Sequence, residues 1–172
     1  MMDPSADPFA APAPDADAPI ERFGAKDAND LSWANLLNAY TCTECGRCTS
    51  ECPANLTGKK LSPRKIMMDT RDRIEEIGQN IATNGSFLDD GKSLLGDYIT
   101  NEELWACTSC NACVQACPVD IDPLNIIMKL RNFATMEESS APGALNAMMT
   151  NVENNGAPWP FNQMDRANWI NE

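Results

Sequence analysis

Apolar residues first recur at the helical period between Leu31 and Tyr40, where Trp33, Leu36, Leu37 and Tyr40 share one face and Asp30 precedes them as a cap. Ser62-Pro63 opens a second, longer helix by the cap-then-proline rule. Its stripe is Ile66, Met67, Ile74, Ile77 and Ile81, its opposite face carries Arg71, Asp72, Arg73, Glu75 and Glu76, and it is expected to end near Ala82, before Asn84-Gly85. A polar linker then runs to Ile99. Thr100 and Glu103 stand three apart as a capping box ahead of Leu104 and Trp105. Asp122-Pro123 starts another helix with the stripe Leu124, Ile127, Met128, Leu130, Phe133 and Ala134. Pro142 starts a last one, through Leu145, Met148, Met149 and Val152, stopped by Asn154-Asn155-Gly156. The end, Ala157-Pro158-Trp159-Pro160-Phe161, is irregular but aromatic, and is expected to pack onto something. No segment alternates as strands do, so the fold is predicted to be mainly α.

The pattern repeats. In each half a Trp-bearing helix leads to four cysteines, a proline, a short loop and a longer helix begun by Pro63 or Pro123, with about 65 residues between equivalent cysteines. The two halves are therefore read as a pseudo-symmetric duplication spanning residues 29–140. Residues 1–28, rich in Ala, Pro and Asp, are read as a disordered acidic tail, because such a composition buries too little apolar surface to offset its ordering entropy. Residues 141–172 form a C-terminal helix and irregular aromatic extension.

Composition narrows the chemistry. A net charge of -12 excludes nucleic acid, which requires a basic face. Seven of the 13 Lys and Arg residues nonetheless lie between Arg47 and Arg73. There Lys59, Lys60, Arg64 and Lys65 fit either a docking patch for an acidic redox partner or a solvated helix face. No run approaches the ~18 apolar residues of a membrane helix. The N-terminus lacks a basic segment followed by an apolar run, so a reducing, cytoplasmic setting is expected. There is no dinucleotide fingerprint, phosphate loop or Ser/His/Asp set, so the chain has no complete active site of its own and no catalytic residue is assigned.

All eight cysteines fall in two runs, Cys42, Cys45, Cys48, Cys52 and Cys107, Cys110, Cys113, Cys117, each C-x2-C-x2-C-x3-C followed by proline. This is the spacing of bacterial two-cluster ferredoxins. Three cysteines at that spacing curl round one corner of a cubane, whereas the fourth, turned away by the proline, serves the neighbouring cluster. Cys42, Cys45, Cys48 and Cys117 are accordingly assigned to one 4Fe-4S cluster, and Cys107, Cys110, Cys113 and Cys52 to a second. Shared ligands of this kind imply a separation on the order of 10 Å. Structural zinc is the alternative, but zinc motifs come as separated pairs rather than runs of three closed by Cys-Pro. With no histidine, the chain can form neither a Rieske centre nor a His-ligated haem. The methionines at helical spacing read as core filler, and Trp33 and Trp105 as shields of the clusters.

With the cysteine runs, Leu61-Ser62-Pro63-Arg64 and Asp120-Ile121-Asp122-Pro123 in place, residues 31–172 resemble the alpha-helical ferredoxins. Within that group they are similar to the C-type iron-sulfur subunit of heterodisulfide reductase and to the cysteine-rich-domain iron-sulfur oxidoreductases, including the iron-sulfur subunits of glycolate oxidase and glycerol-3-phosphate dehydrogenase. The resemblance implies electron transfer as the iron-sulfur subunit or fragment of a larger oxidoreductase. The partner would be a flavin- or thiol-active subunit, which could hold the chain at the inner face of a membrane. Oxidoreductases of this group commonly continue into a Cys-Cys-Gly domain that this sequence lacks, so the chain reads as a separate subunit, a split gene product or a fragment. A free dicluster ferredoxin and a zinc-binding adaptor are the competing readings.

Overall fold

A computed structural model describes residues 22–171. Within them eight α-helices follow in order: α1 Trp33–Thr41, α2 Arg47–Ser50, α3 Pro53–Leu56, α4 Pro63–Asn84, α5 Asn101–Ala106, α6 Ala112–Gln115, α7 Pro123–Met136 and α8 Gly143–Asn155. Short 3-10 turns at Ala28–Asp30 and Gln163–Asn171 flank them. The only β pairing among the described residues is an isolated bridge between Leu95 and Ile99. The mainly helical expectation holds.

The caps explain the boundaries. Ser62 Oγ accepts from Lys65 N and Pro63 occupies the first turn of α4, while Gly85, at φ 79°, ends it. Thr100 and Glu103 form the expected capping box at α5, and Asp122 caps α7. At α1 the cap is Ser32, not Asp30. Asp30 instead closes a capping box with Asp27 over the preceding 3-10 turn.

One core joins α4, α7 and the segments beside them, through Ile66, Met67, Leu94, Ile99, Leu104, Ile126, Ile127 and Leu130, all at most 1% exposed. α1 lies on α4, α4 on α7, α5 on α7, and the short α2 and α6 face each other. α1 docks through Asn35, Ala39 and part of Leu36, with Asn35 Nδ2 donating to Asn125 Oδ1 at 3.1 Å. The expected apolar face is turned outward, leaving Trp33 77%, Leu37 52% and Tyr40 51% exposed. A run with apolar residues on both sides can satisfy the period either way, and the small Ala39 allows the closer approach.

The segment before α1 also departs from expectation. Residues 1–21 of the expected tail lie outside the described residues, but residues 24–28 are held against the fold while Arg22 and Phe23 stay exposed. Ala25 and Ala28 are buried, and Ala25 N donates to Lys129 O at 3.0 Å. The backbone crosses α7 so closely that a Cβ on Gly24 would lie 2.3 Å from Lys129 O, and its φ of 94° favours glycine as well. Asp27 then reaches the fully buried Arg73 of α4, with Arg73 Nη2 donating to Asp27 Oδ2 at 2.7 Å. At the other end, α8 buries no residue, and Trp159 and Phe161 are 65% and 68% exposed rather than packed.

Candidate metal centres

Each cysteine run is a loop bent by left-handed residues and closed by a four-residue helix. In the first, Glu44 (φ 57°) and Gly46 (φ 81°) turn the chain into α2, which carries Cys48; in the second, Ser109 (φ 55°) and Asn111 (φ 61°) turn it into α6, which carries Cys113. The four positions correspond pairwise across the duplication. Nothing lies within 4 Å of where a Cβ on Gly46 would sit, so the glycine answers to backbone conformation alone, and Asn111 is the side-chain type that tolerates the same conformation best. Alternating backbone hands bring amide N–H groups round to a concave face suited to negative charge. Ser109 N donates to Cys107 Sγ at 3.4 Å, and Ile121 N to Cys117 Sγ at 3.3 Å.

The halves diverge after the fourth cysteine. Ten residues separate Cys52 from Pro63, including α3 and the basic loop, whereas five separate Cys117 from Pro123. Both routes nevertheless carry the fourth cysteine across to the other run. Cys42, Cys45, Cys48 and Cys117 line one cavity, completed by Ile121 and Pro123 of the second half. Cys107, Cys110, Cys113 and Cys52 line another, completed by Leu61 and Pro63 of the first half. Cys113 borders both. All eight expected cysteines are thus gathered into two neighbouring sites, and none is left over.

Burial grades the thiols. Cys52 and Cys113 are buried, while Cys45 and Cys110, equivalent in the duplication, are exposed. Burial raises the Cys48 pKa, and Cys113 is pushed up to about 11 by burial and then by the neighbouring Cys107. At Cys110 the pKa is lowered by bonds from Ala112 N–H and the Thr108 side chain. Buried thiols of this kind hold their charge only against strong positive charge such as iron. The donor set, two groups of four thiols in walls that are otherwise mostly apolar, fits two polynuclear clusters.

Of the expected shields, Trp33 is exposed and does not serve. Trp105 is half-buried beneath the Arg131 guanidinium, 4.9 Å from its ring centre. The basic stretch is partly paired within the chain, Lys65 at a part-buried site and Lys60 at the surface. Lys65 Nζ pairs with Asp69 at 2.7 Å and with the buried Glu103 at 2.9 Å, and Lys60 pairs with Glu102 at 2.6 Å. Arg64 is exposed and borders the first cavity. Arg131 was not singled out by sequence reasoning, although its spacing from Pro123 repeats that of Arg71 from Pro63.

Residues 41–121 match the family described as 4Fe-4S dicluster domain. This segment is a 4Fe-4S dicluster domain. The chain is 34% identical to the probable iron-sulfur-binding oxidoreductase FadF of Bacillus subtilis, across 88% of the chain and 26% of the relative. It is 31% identical to the EtfAB:quinone oxidoreductase of Syntrophomonas wolfei, across 88% of the chain and 24% of the relative. The C-type subunit of a ferredoxin/F420H2-dependent CoB-CoM heterodisulfide reductase from Methanosarcina acetivorans is 31% identical, across 63% of the chain and 54% of the relative. The chain spans about a quarter of the length of the first two relatives. These similarities agree with the resemblance carried by the cysteine runs. The dicluster domain carries two 4Fe-4S clusters and transfers electrons through them.

Proposed function

We propose that the chain is the two-cluster relay of a larger oxidoreductase, with Cys42, Cys45, Cys48 and Cys117 holding one cluster and Cys107, Cys110, Cys113 and Cys52 the other. The observation that supports this most strongly is the crossing of the fourth cysteines, which puts Cys117 beside the first run and Cys52 beside the second. Bound clusters supply one-electron storage. The chain supplies the rest. Apolar residues such as Met67 and Ile127 keep water from the inner sides of the sites, and backbone N–H groups steady the sulfur charge. The exposed Cys45 and Cys110 give each site one edge at the surface through which an outside donor or acceptor can couple.

A flavin- or thiol-active redox protein is the partner favoured by the names of the relatives, which include an EtfAB:quinone oxidoreductase and heterodisulfide reductases. One further relative, 32% identical across 90% of the chain, is a probable membrane-anchored ferredoxin of Chromohalobacter salexigens. Among the described residues no helix is long and apolar enough to cross a membrane. The same reading extends to attachment at the inner face of a membrane through such a partner, in keeping with that relative.

Paired cysteine variants test the ligand sets. Under crossed ligation Cys42→Ala with Cys117→Ala removes one cluster and leaves about four irons per chain, whereas Cys42→Ala with Cys52→Ala removes both. The reverse outcome in iron analysis would establish uncrossed ligation.

A further inference from the structure

The duplication extends past the cysteines into the helices that follow. Arg71 stands eight residues after Pro63 in α4, and Arg131 eight residues after Pro123 in α7. Each reaches back to the first cysteine loop of its own half, and to the same position in it. Arg71 forms an ion pair with Glu44, and Arg131 Nη1 donates to Ser109 Oγ at 3.2 Å. Glu44 and Ser109 each lie two residues after the first cysteine of their run, in the same left-handed conformation.

The charge balance is where the halves part. Arg71 is met by Glu44, with Asp72 a further 3.9 Å contact. Arg131 meets no carboxylate among the described residues. Its Nη2 donates to Leu104 O at 2.8 Å and Cys107 O at 2.6 Å, Nε donates to Leu104 O at 3.1 Å, and the guanidinium lies over Trp105. Carbonyls and an aromatic face orient a guanidinium without cancelling its charge. A half-buried, unneutralised cation therefore sits beside the Cys107 loop. Arg64 borders the other cavity but is exposed, so water and salt screen it.

We propose that Arg71 and Arg131 are equivalent positioning residues for the two cluster loops, and that the residue at position 44 or 109 sets which cluster holds the electron. On this account the uncompensated Arg131 makes the cluster at the Cys107 run the electron's resting place. The inference rests on the two-cluster relay reading. The step it biases is a single-electron exchange: the first cluster is oxidised by one unit and the second reduced by one, with no bond or proton moved. A unit charge acting over about 10 Å at an effective dielectric of about 20 shifts such an occupancy roughly tenfold. For one electron a tenfold shift corresponds to about 59 mV.

The test exchanges the two residues between the halves in the full chain, loaded anaerobically with iron and sulfide and titrated by electron paramagnetic resonance. Glu44→Ser and Ser109→Glu each install a residue already carried at that backbone conformation by the other half. Two one-electron waves are expected in the unaltered chain. Ser109→Glu lowers the upper wave roughly tenfold in occupancy, Glu44→Ser raises the lower wave by a similar amount, and both narrow the gap. Waves that stay put, or that move apart, overturn the inference while leaving the relay intact. An unaltered chain that binds fewer than two clusters overturns the relay reading and this inference with it.

Discussion

Arg73 concentrates the physics of single residues in this molecule. A guanidinium with no exposed surface is tolerable only when every nitrogen finds an acceptor. Here Nε and Nη2 donate to Asp27, Nη1 and Nη2 to Asp90, and Nη2 also to Lys92 O. Asp27 in turn accepts from Leu94 N, so one side chain ties the N-terminal segment, α4 and the linker together. Arg73→Met should therefore cost about 3–5 kcal/mol in thermal or denaturant unfolding, because two part-buried carboxylates lose their counter-charge. The bond from Arg73 also lowers the Asp90 pKa to about 2, from 3.8 when unperturbed. A depressed carboxylate stabilises the fold fully above the unfolded value, and that stability is lost as pH falls from about 3.8 through about 2. Carboxyl NMR of the folded chain should place the Asp90 midpoint near the lower value and, in Arg73→Met, near the ordinary one.

Among the elements, α1 shows how far a hydrophobic pattern can be trusted. Its existence and period were legible, but its buried face was not. Trp33, Leu37 and Tyr40 are the larger apolar residues, yet Asn35 and Ala39 take the interface, because a small residue and a matched amide pair let α1 approach α4 and Asn125. Ala39→Leu should overpack that contact and cost about 1–3 kcal/mol, whereas Trp33→Ala should stay within about 0.5 kcal/mol. Unfolding midpoints of the two variants decide it; a larger loss from Trp33→Ala would mean that the helix docks by the other face. The capped helices α4, α5 and α7 are legible in the sequence, since caps, prolines and stripes are local signals. The packing of residues 24–28 is not, because it depends on Gly24 and Ala25 meeting Lys129 more than 100 residues away in the chain.

For the whole molecule, the cysteine runs were legible as a repeat, and the positive-φ residues at 44, 46, 109 and 111 carry that repeat into the backbone. The arginines at 71 and 131 extend it into the helices, although their spacing acquires meaning only once each is seen gripping its loop. Exposed apolar residues lie along α1 and at Trp159, Phe161 and Trp169, outside the dicluster segment, which leaves these flanking parts of the chain open to association. The central claim is that eight thiols surround two cubanes. The most direct measurement is iron and acid-labile sulfide in the anaerobically loaded chain, with about eight of each predicted. Two zinc ions and no sulfide, or four irons that stay bound when either cysteine run is replaced, would contradict it.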